Sequence, residues 1–289
     1  FTFGLYRDAA FTQQIATVAN AADGSISAAI PADAGKVDAG GAAHAYSMAD
    51  FLKADGTYET VAGADGKPVV QKVFTYYMKE ETPGSGYTAA GEKYRIDVTL
   101  TLNGASLDPD YTFYQLENGQ YKKTGAPLSF TNTYQAEGTT DVKVHKVLTG
   151  KELAAGKFTF RMQPLPGQWQ PGYASDSGFT AQTVTNNAQV SGSTDHSSVT
   201  QLTRLRYDMD DLRRESGGYE ESKTYYYLLS ESTTVPAASS DAGGGYHCDP
   251  GKYVLAVTIS DKDKDGSLEI TKELYEYRTD SSGPLGSKV

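Results

Sequence analysis

Cysteine is nearly missing from this 289-residue chain, with Cys248 the only one. A single thiol forms no internal disulfide and no Cys-x-x-Cys metal or redox site. With only the adjacent His247 beside it, it also falls short of the four ligands of structural zinc. Long apolar runs are lacking too: none approaches the roughly 20 residues that span a bilayer as a helix, so membrane insertion of that kind is not expected. No basic segment with an apolar core opens the chain at Phe1. Positive charge is in deficit, 26 Lys and Arg against 36 Asp and Glu for a formal net charge of −10. Such a surface offers no dense cationic patch to neutralise phosphates, which argues against nucleic acid and anionic membrane as partners. Helix signals are few. Asp208 to Ser216 and Ala45 to Ala54 read as short connecting turns or single helices. No nucleophile elbow, phosphate loop or metal motif is present, so no cofactor is expected. A turnover enzyme such as a two-carboxylate glycosidase finds little support.

What is abundant is strand. KVFTYYMKE, KYRIDVTLTL, KTYYYLLSE and KYVLAVTIS alternate Tyr, Val, Phe and Thr with polar residues, and Gly, Asp, Asn and Pro clusters separate them. The halves also repeat. FTFGL at Phe1 matches FTFRM at Phe158, FTYYMKE at Phe74 matches YYYLLSE at Tyr225, and EKYRIDVTL at Glu92 matches GKYVLAVTI at Gly251. The three offsets, 157, 151 and 159 residues, are close enough to mark two copies of one domain with insertions between strands. The expected division is 1–135 and 141–289, with the polar link Gln135 to Thr140 between them.

Strand parity places polar groups on the buried side. Residues two apart share a face, so Asn132 lines up with Phe130 and Tyr134, and Lys146 with Val142 and Val144. Glu80 lines up with Phe74, Tyr76 and Met78, and Glu231 with Tyr225, Tyr227 and Leu229. Lys143, on the opposite parity, reads as a solvated lysine. Burial disfavours both the ammonium and the carboxylate, so the pair tends toward neutral amine and neutral acid. An amine held against an asparagine carboxamide beside such an acid can displace ammonia and form an amide between the two side chains. DKDKDG at Asp261 begins like a calcium loop but has Lys272 where the twelfth, glutamate position would be. Trp169 sits in a Pro/Gly loop and reads as a packing residue. Asp280 is a poor substitute for a second linking amide.

These residues carry a resemblance. SFTNTY followed by VKVHKVLTGKELAAGKFTF resembles the junction between two tandem streptococcal major-pilin-type (FctA-like) domains, in which K-V-L-T-G, a spacer and F-T-F open a domain and F-T-N-T-Y closes it. The resemblance covers both halves. It implies an all-β fold of two tandem immunoglobulin-like (Cna-B-like) β-sandwiches with short helical insertions, stapled by Lys–Asn isopeptide bonds. It further implies that Lys146 is the linking lysine and Glu231 the acid of the second domain, and Asn132 the linking amide and Glu80 the acid of the first. The lysine of the first domain is then expected before Phe1, and the amide of the second just beyond Val289, either in a longer array or on a strand donated by another chain. The implied role is structural, in a Gram-positive pilus or surface stalk whose partners are neighbouring domains or subunits. An alternative is an adhesive module in which the polar stretch Pro164 to Ser222 contacts a host protein or glycan.

Overall fold

The computed structural model describes residues 1–26, 46–125, 128–166, 174–176, 178–233, 246, 248–279 and 283–289. Trp169, His247 and Asp280 lie outside the described residues. The chain separates into two compact units, Phe1–Tyr134 and Gln135–Val289. Both are built from strands, and the protein is an all-β tandem of two β-sandwich domains.

Unit 1 contains β1 (Thr2–Tyr6), β2 (Gln14–Ala19), β3 (Thr60–Ala62), β4 (Pro68–Thr82), β5 (Tyr87–Thr88), β6 (Lys93–Asn103), β7 (Ser106–Glu117), β8 (Gln120–Thr124) and β9 (Thr133–Tyr134). Its main sheet runs β2-β1-β4-β6-β7-β8, with β3 beside β4, and β5 pairs with β9 in a small second sheet. Unit 2 contains β10 (Glu137–Val147), β11 (Phe158–Pro164), β12 (Ala174–Ser175), β13 (Gln182–Thr185), β14 (Ser197–Asp208), β15 (Ser222–Thr233), β16 (Lys252–Ser260), β17 (Glu269–Tyr277) and β18 (Leu285–Lys288). Its main sheet runs β13-β11-β15-β16-β17-β18, and β10 pairs antiparallel with β14 in a second sheet. The two strand orders correspond one for one. The register corresponds as well: Phe3 lies opposite Glu80 and Met78 opposite Tyr94 in unit 1, while Phe160 lies opposite Glu231 and Leu229 opposite Tyr253 in unit 2.

Alternation along the strands builds each core. In β6, Tyr94, Ile96, Val98 and Leu100 are buried while the residues between them are not, and they pack with Phe3, Leu5, Tyr76 and Met78. The two expected helical segments each reduce to one 3-10 turn, Met48–Phe51 and Met209–Leu212. Each turn drives one fully buried residue, Phe51 or Leu212, into its core, a burial that stabilises by about 2–3 kcal/mol. Acidic side chains close the start of both turns. Asp208 accepts from the Asp210 amide at 2.8 Å, and Asp50 accepts from the Ser47 amide at 2.7 Å.

Two features depart from simple alternation. Val254, Leu255, Ala256 and Val257 are buried consecutively in β16, because unit 2 covers both faces of its sheet, Leu165 packing on the outer side with Leu228 and Val254. The stretch Pro164 to Ser222 is also more than an insertion: β12, β13 and β14 lie within it, and β14 buries Thr200, Leu202, Leu205 and Tyr207 behind exposed polar neighbours. One polar motif recurs inside both cores. The hydroxyls of Tyr46 and Tyr76 hydrogen-bond in unit 1, and those of Tyr207 and Tyr227 do so at 2.7 Å in unit 2. Tyr227 in turn donates to Asp176 Oδ2 at 2.8 Å.

Candidate functional site

In unit 2 the parity of β10 is as the sequence implies. Val142 is buried, Lys143 is exposed beside Asp141 at 4.0 Å, and Lys146 turns inward. Lys146 Nζ lies 2.7 Å from Glu231 Oε1 and 2.9 Å from Oε2. The two side chains are only 11% and 10% exposed. The ammonium also sits 4.1 Å from the centroid of the Phe158 ring. Withdrawing such a pair from water carries a desolvation penalty of several kcal/mol per ion, which attraction offsets only in good geometry. Contact with both carboxylate oxygens and a ring face supplies that geometry.

Phe158 is held in place by a residue that sequence reasoning missed. Asn186, 2% exposed, accepts from the Lys157 and Phe158 amides at 2.8 and 2.9 Å through Oδ1. Its Nδ2 donates to the Ala154 and Asn187 carbonyls, both at 2.8 Å. Every donor and acceptor of this buried amide is thus used. Nothing in TVTNNAQ marks the residue, since an Asn-Asn pair ordinarily reads as a surface turn.

In unit 1 the inward carboxylate faces an amide. Glu80, 6% exposed, accepts from Asn132 Nδ2 at 3.0 Å on Oε1 and 2.8 Å on Oε2, and Oε2 also accepts from the Ala90 amide. The second Nδ2 hydrogen goes to the Thr88 carbonyl at 3.0 Å. The pairing of Tyr87 with Tyr134 and Thr88 with Thr133 sets that carbonyl beside Asn132. Asn132 itself precedes β9, and the segment before it has no ladder. Side chains fix it instead: Phe130 packs 4.7 Å from Phe3 and 5.1 Å from Tyr94, ring centre to ring centre. The Tyr94 hydroxyl donates to the Ser129 carbonyl and accepts from its amide at 3.3 Å.

The four residues singled out from sequence therefore fall into two pairs, Glu80 with Asn132 and Lys146 with Glu231. Each pair holds a glutamate against a side-chain nitrogen. The family of Spy0128-like isopeptide containing domains, FctA, matches residues 1–135 and again 142–282. The chain belongs to this family. No curated protein and no solved structure matches it. Glu80 lies in the first matched region, and Lys146 and Glu231 in the second. DKDKDG forms the turn between β16 and β17, and Ser267 at its end bridges to Glu137. Cys248 is a free, half-buried thiol.

Proposed function

We propose that this chain is a structural segment of a Gram-positive surface fibre, a pilus shaft or adhesin stalk, in which a self-formed Lys–Asn amide ties the terminal strands of each unit. The observation that supports this most is the recurrence of one carboxylate at one register position, opposite Phe3 and opposite Phe160, with an amide against it in one copy and an amine in the other.

The chemistry follows from what each pair displays. The lysine ammonium first gives a proton to the glutamate carboxylate, the neutral nitrogen then attacks the asparagine Cγ, and a new C–N bond forms as the bond from Cγ to Nδ2 breaks. The surplus proton of the amine passes through the glutamate to the departing nitrogen, ammonia leaves, and the acid is restored. In this reading the contact of Lys146 with Glu231 serves transfer of the proton to the acid, and the contact of Asn132 Nδ2 with Glu80 serves its delivery to the leaving nitrogen. Folding holds the groups in contact, so each domain completes one turnover and no more.

A bond between first and last strands carries tension past the hydrogen-bonded ladders, so extension of the fibre requires breaking an amide. By the loop-entropy argument used for disulfides, closing a loop of more than 100 residues also adds on the order of 5 kcal/mol. The location consistent with this role is the bacterial cell wall or pilus, with neighbouring subunits as partners. No helix among the described residues is long and apolar enough to cross a membrane. The reading is tested by adding a synthetic peptide of residues 128–134, LSFTNTY, to the chain. The expected product is an adduct at Lys146 lighter than the sum of its parts by one ammonia, absent with Glu231→Ala. A peptide that docks on unit 2 yet never loses ammonia contradicts it.

A further inference from the structure

The outward face of the unit 1 sheet carries a row of side chains that the repeated fold does not require. Tyr77, Arg95 and Tyr114 lie opposite one another on β4, β6 and β7, and Lys79 lies opposite Lys93. The Arg95 guanidinium stacks 3.9 Å from the centre of the Tyr114 ring and is anchored by Asp97 at 2.8 Å. Lys79 and Lys93 stand 5.7 and 5.4 Å from the centre of one ring, Phe11. Glu81 lies 3.4 Å from Lys79, whereas the described contact of the Lys93 ammonium is the ring.

This arrangement has an energetic penalty. Like charges directly opposite on paired strands repel, and Phe11 adopts φ 55°, an uncommon value for a bulky residue. The loop that presents it is built around Asp8, whose carboxylate accepts from the Thr12 and Gln13 amides at 3.0 and 2.7 Å and from the Thr12 hydroxyl at 2.8 Å. Phe11 is thereby set edge-on to Tyr6 and Tyr77, at 5.3 and 6.2 Å between ring centres. Unit 2 shows that the fold does without the row. At the positions of Tyr77, Lys79 and Arg95 it has Leu228, Ser230 and Val254, and Leu165 covers that face.

We propose that this face of unit 1 binds a terminal acidic sugar, a glycan ending in a sialic-acid-type carboxylate. The charge pattern selects the occupant. The Lys93 ammonium, with Lys79 nearby and shared with Glu81, complements one carboxylate, while the formal charge of −10 on the whole chain repels a long polyanion. The row crosses from β1 to β7, about 14 Å at the usual strand spacing, and is lined by the half-buried side chains of Tyr77, Tyr114 and Phe11, apolar surface that matches the C–H sides of sugar rings. This goes beyond the fibre role and does not depend on the amide link.

The test is a titration of the full chain with sialyllactose, followed by nuclear magnetic resonance shifts of the unit 1 tyrosines. Lactose, a heparin hexasaccharide and a glutamate octapeptide serve as comparisons. Sialyllactose is expected to bind at least about tenfold more tightly than lactose. Lys79→Gln with Lys93→Gln, and separately Phe11→Ala, are each expected to abolish that preference while circular dichroism stays native. Lys143→Gln, on unit 2, is expected to leave it intact. Equal binding of lactose, tighter binding of the octapeptide or heparin fragment, no binding of sialyllactose, or an unchanged preference in the lysine double variant each overturns the assignment.

Discussion

Lys146 Nζ lies within 2.9 Å of both carboxylate oxygens of Glu231, in a setting where each side chain keeps about a tenth of its exposure. A pair so withdrawn from water stabilises the fold little, because the desolvation penalty consumes much of the attraction. On the proposed reading an amide link removes the charge of the amine, and the unit 2 pair is the arrangement that precedes it.

Removing one member of that pair leaves a buried charge without its partner. Lys146→Met is expected to destabilise unit 2 by about 3–5 kcal/mol, and combining it with Glu231→Gln to recover most of the loss. Urea unfolding of the single and double variants checks this. A loss below about 1 kcal/mol for Lys146→Met matches an exposed pair and contradicts the burial described.

Asn186 is expected to act on coupling through Phe158. Asn186→Ala removes the acceptor of the Lys157 and Phe158 amides and a donor to the Ala154 and Asn187 carbonyls, the last of which keeps the Ser198 hydroxyl, at about 3 kcal/mol. Below its melting temperature the variant should still couple the LSFTNTY peptide more slowly than the parent, since the ring beneath Lys146 loses its anchor. An unchanged coupling rate in the folded variant limits Asn186 to a stability role.

Alkaline stability is set by buried phenols. Burial pushes the Tyr207, Tyr225 and Tyr227 hydroxyls above their ordinary value, and burial together with Glu81 pushes Tyr6 up to about 12. The folded state therefore keeps protons that the unfolded chain releases near pH 10. This contribution to stability is complete below about pH 10 and is lost as pH rises above it. Urea midpoints measured from about pH 9 to about pH 11 should fall. Tyr227→Phe should flatten that fall while lowering the midpoint at neutral pH by about 1–3 kcal/mol in stability, because Asp176 and Tyr207 lose a partner. A midpoint that stays level with pH contradicts the assignment.

Much of this was legible in the sequence because it depends on period two. The inward placement of Glu80, Lys146 and Glu231 follows from alternation alone, and the three repeat offsets reappear as the shared registers of Phe3 with Glu80 and Met78 with Tyr94 in unit 1, and of Phe160 with Glu231 and Leu229 with Tyr253 in unit 2. What escaped depends on contacts between segments far apart in the chain. Asn186 serves Phe158 across a connection, the Thr88 carbonyl and Ala90 amide are backbone groups with no side-chain signature, and the Tyr46–Tyr76 and Tyr207–Tyr227 pairs read only as aromatic residues far apart in the chain. The polar composition of Pro164 to Ser222 hid β14, whose exposed Gln201, Arg204 and Arg206 mask a regular buried row.

The most direct test of the central claim is the intact mass of the chain extended by one strand at each end, so that a lysine can reach Glu80 and Asn132 and an asparagine can reach Lys146 and Glu231. The account predicts a mass lower than the sequence by one ammonia per unit, with the loss in unit 1 abolished by Glu80→Ala or Asn132→Ala and that in unit 2 by Lys146→Ala or Glu231→Ala. A folded, extended protein at its full calculated mass contradicts it.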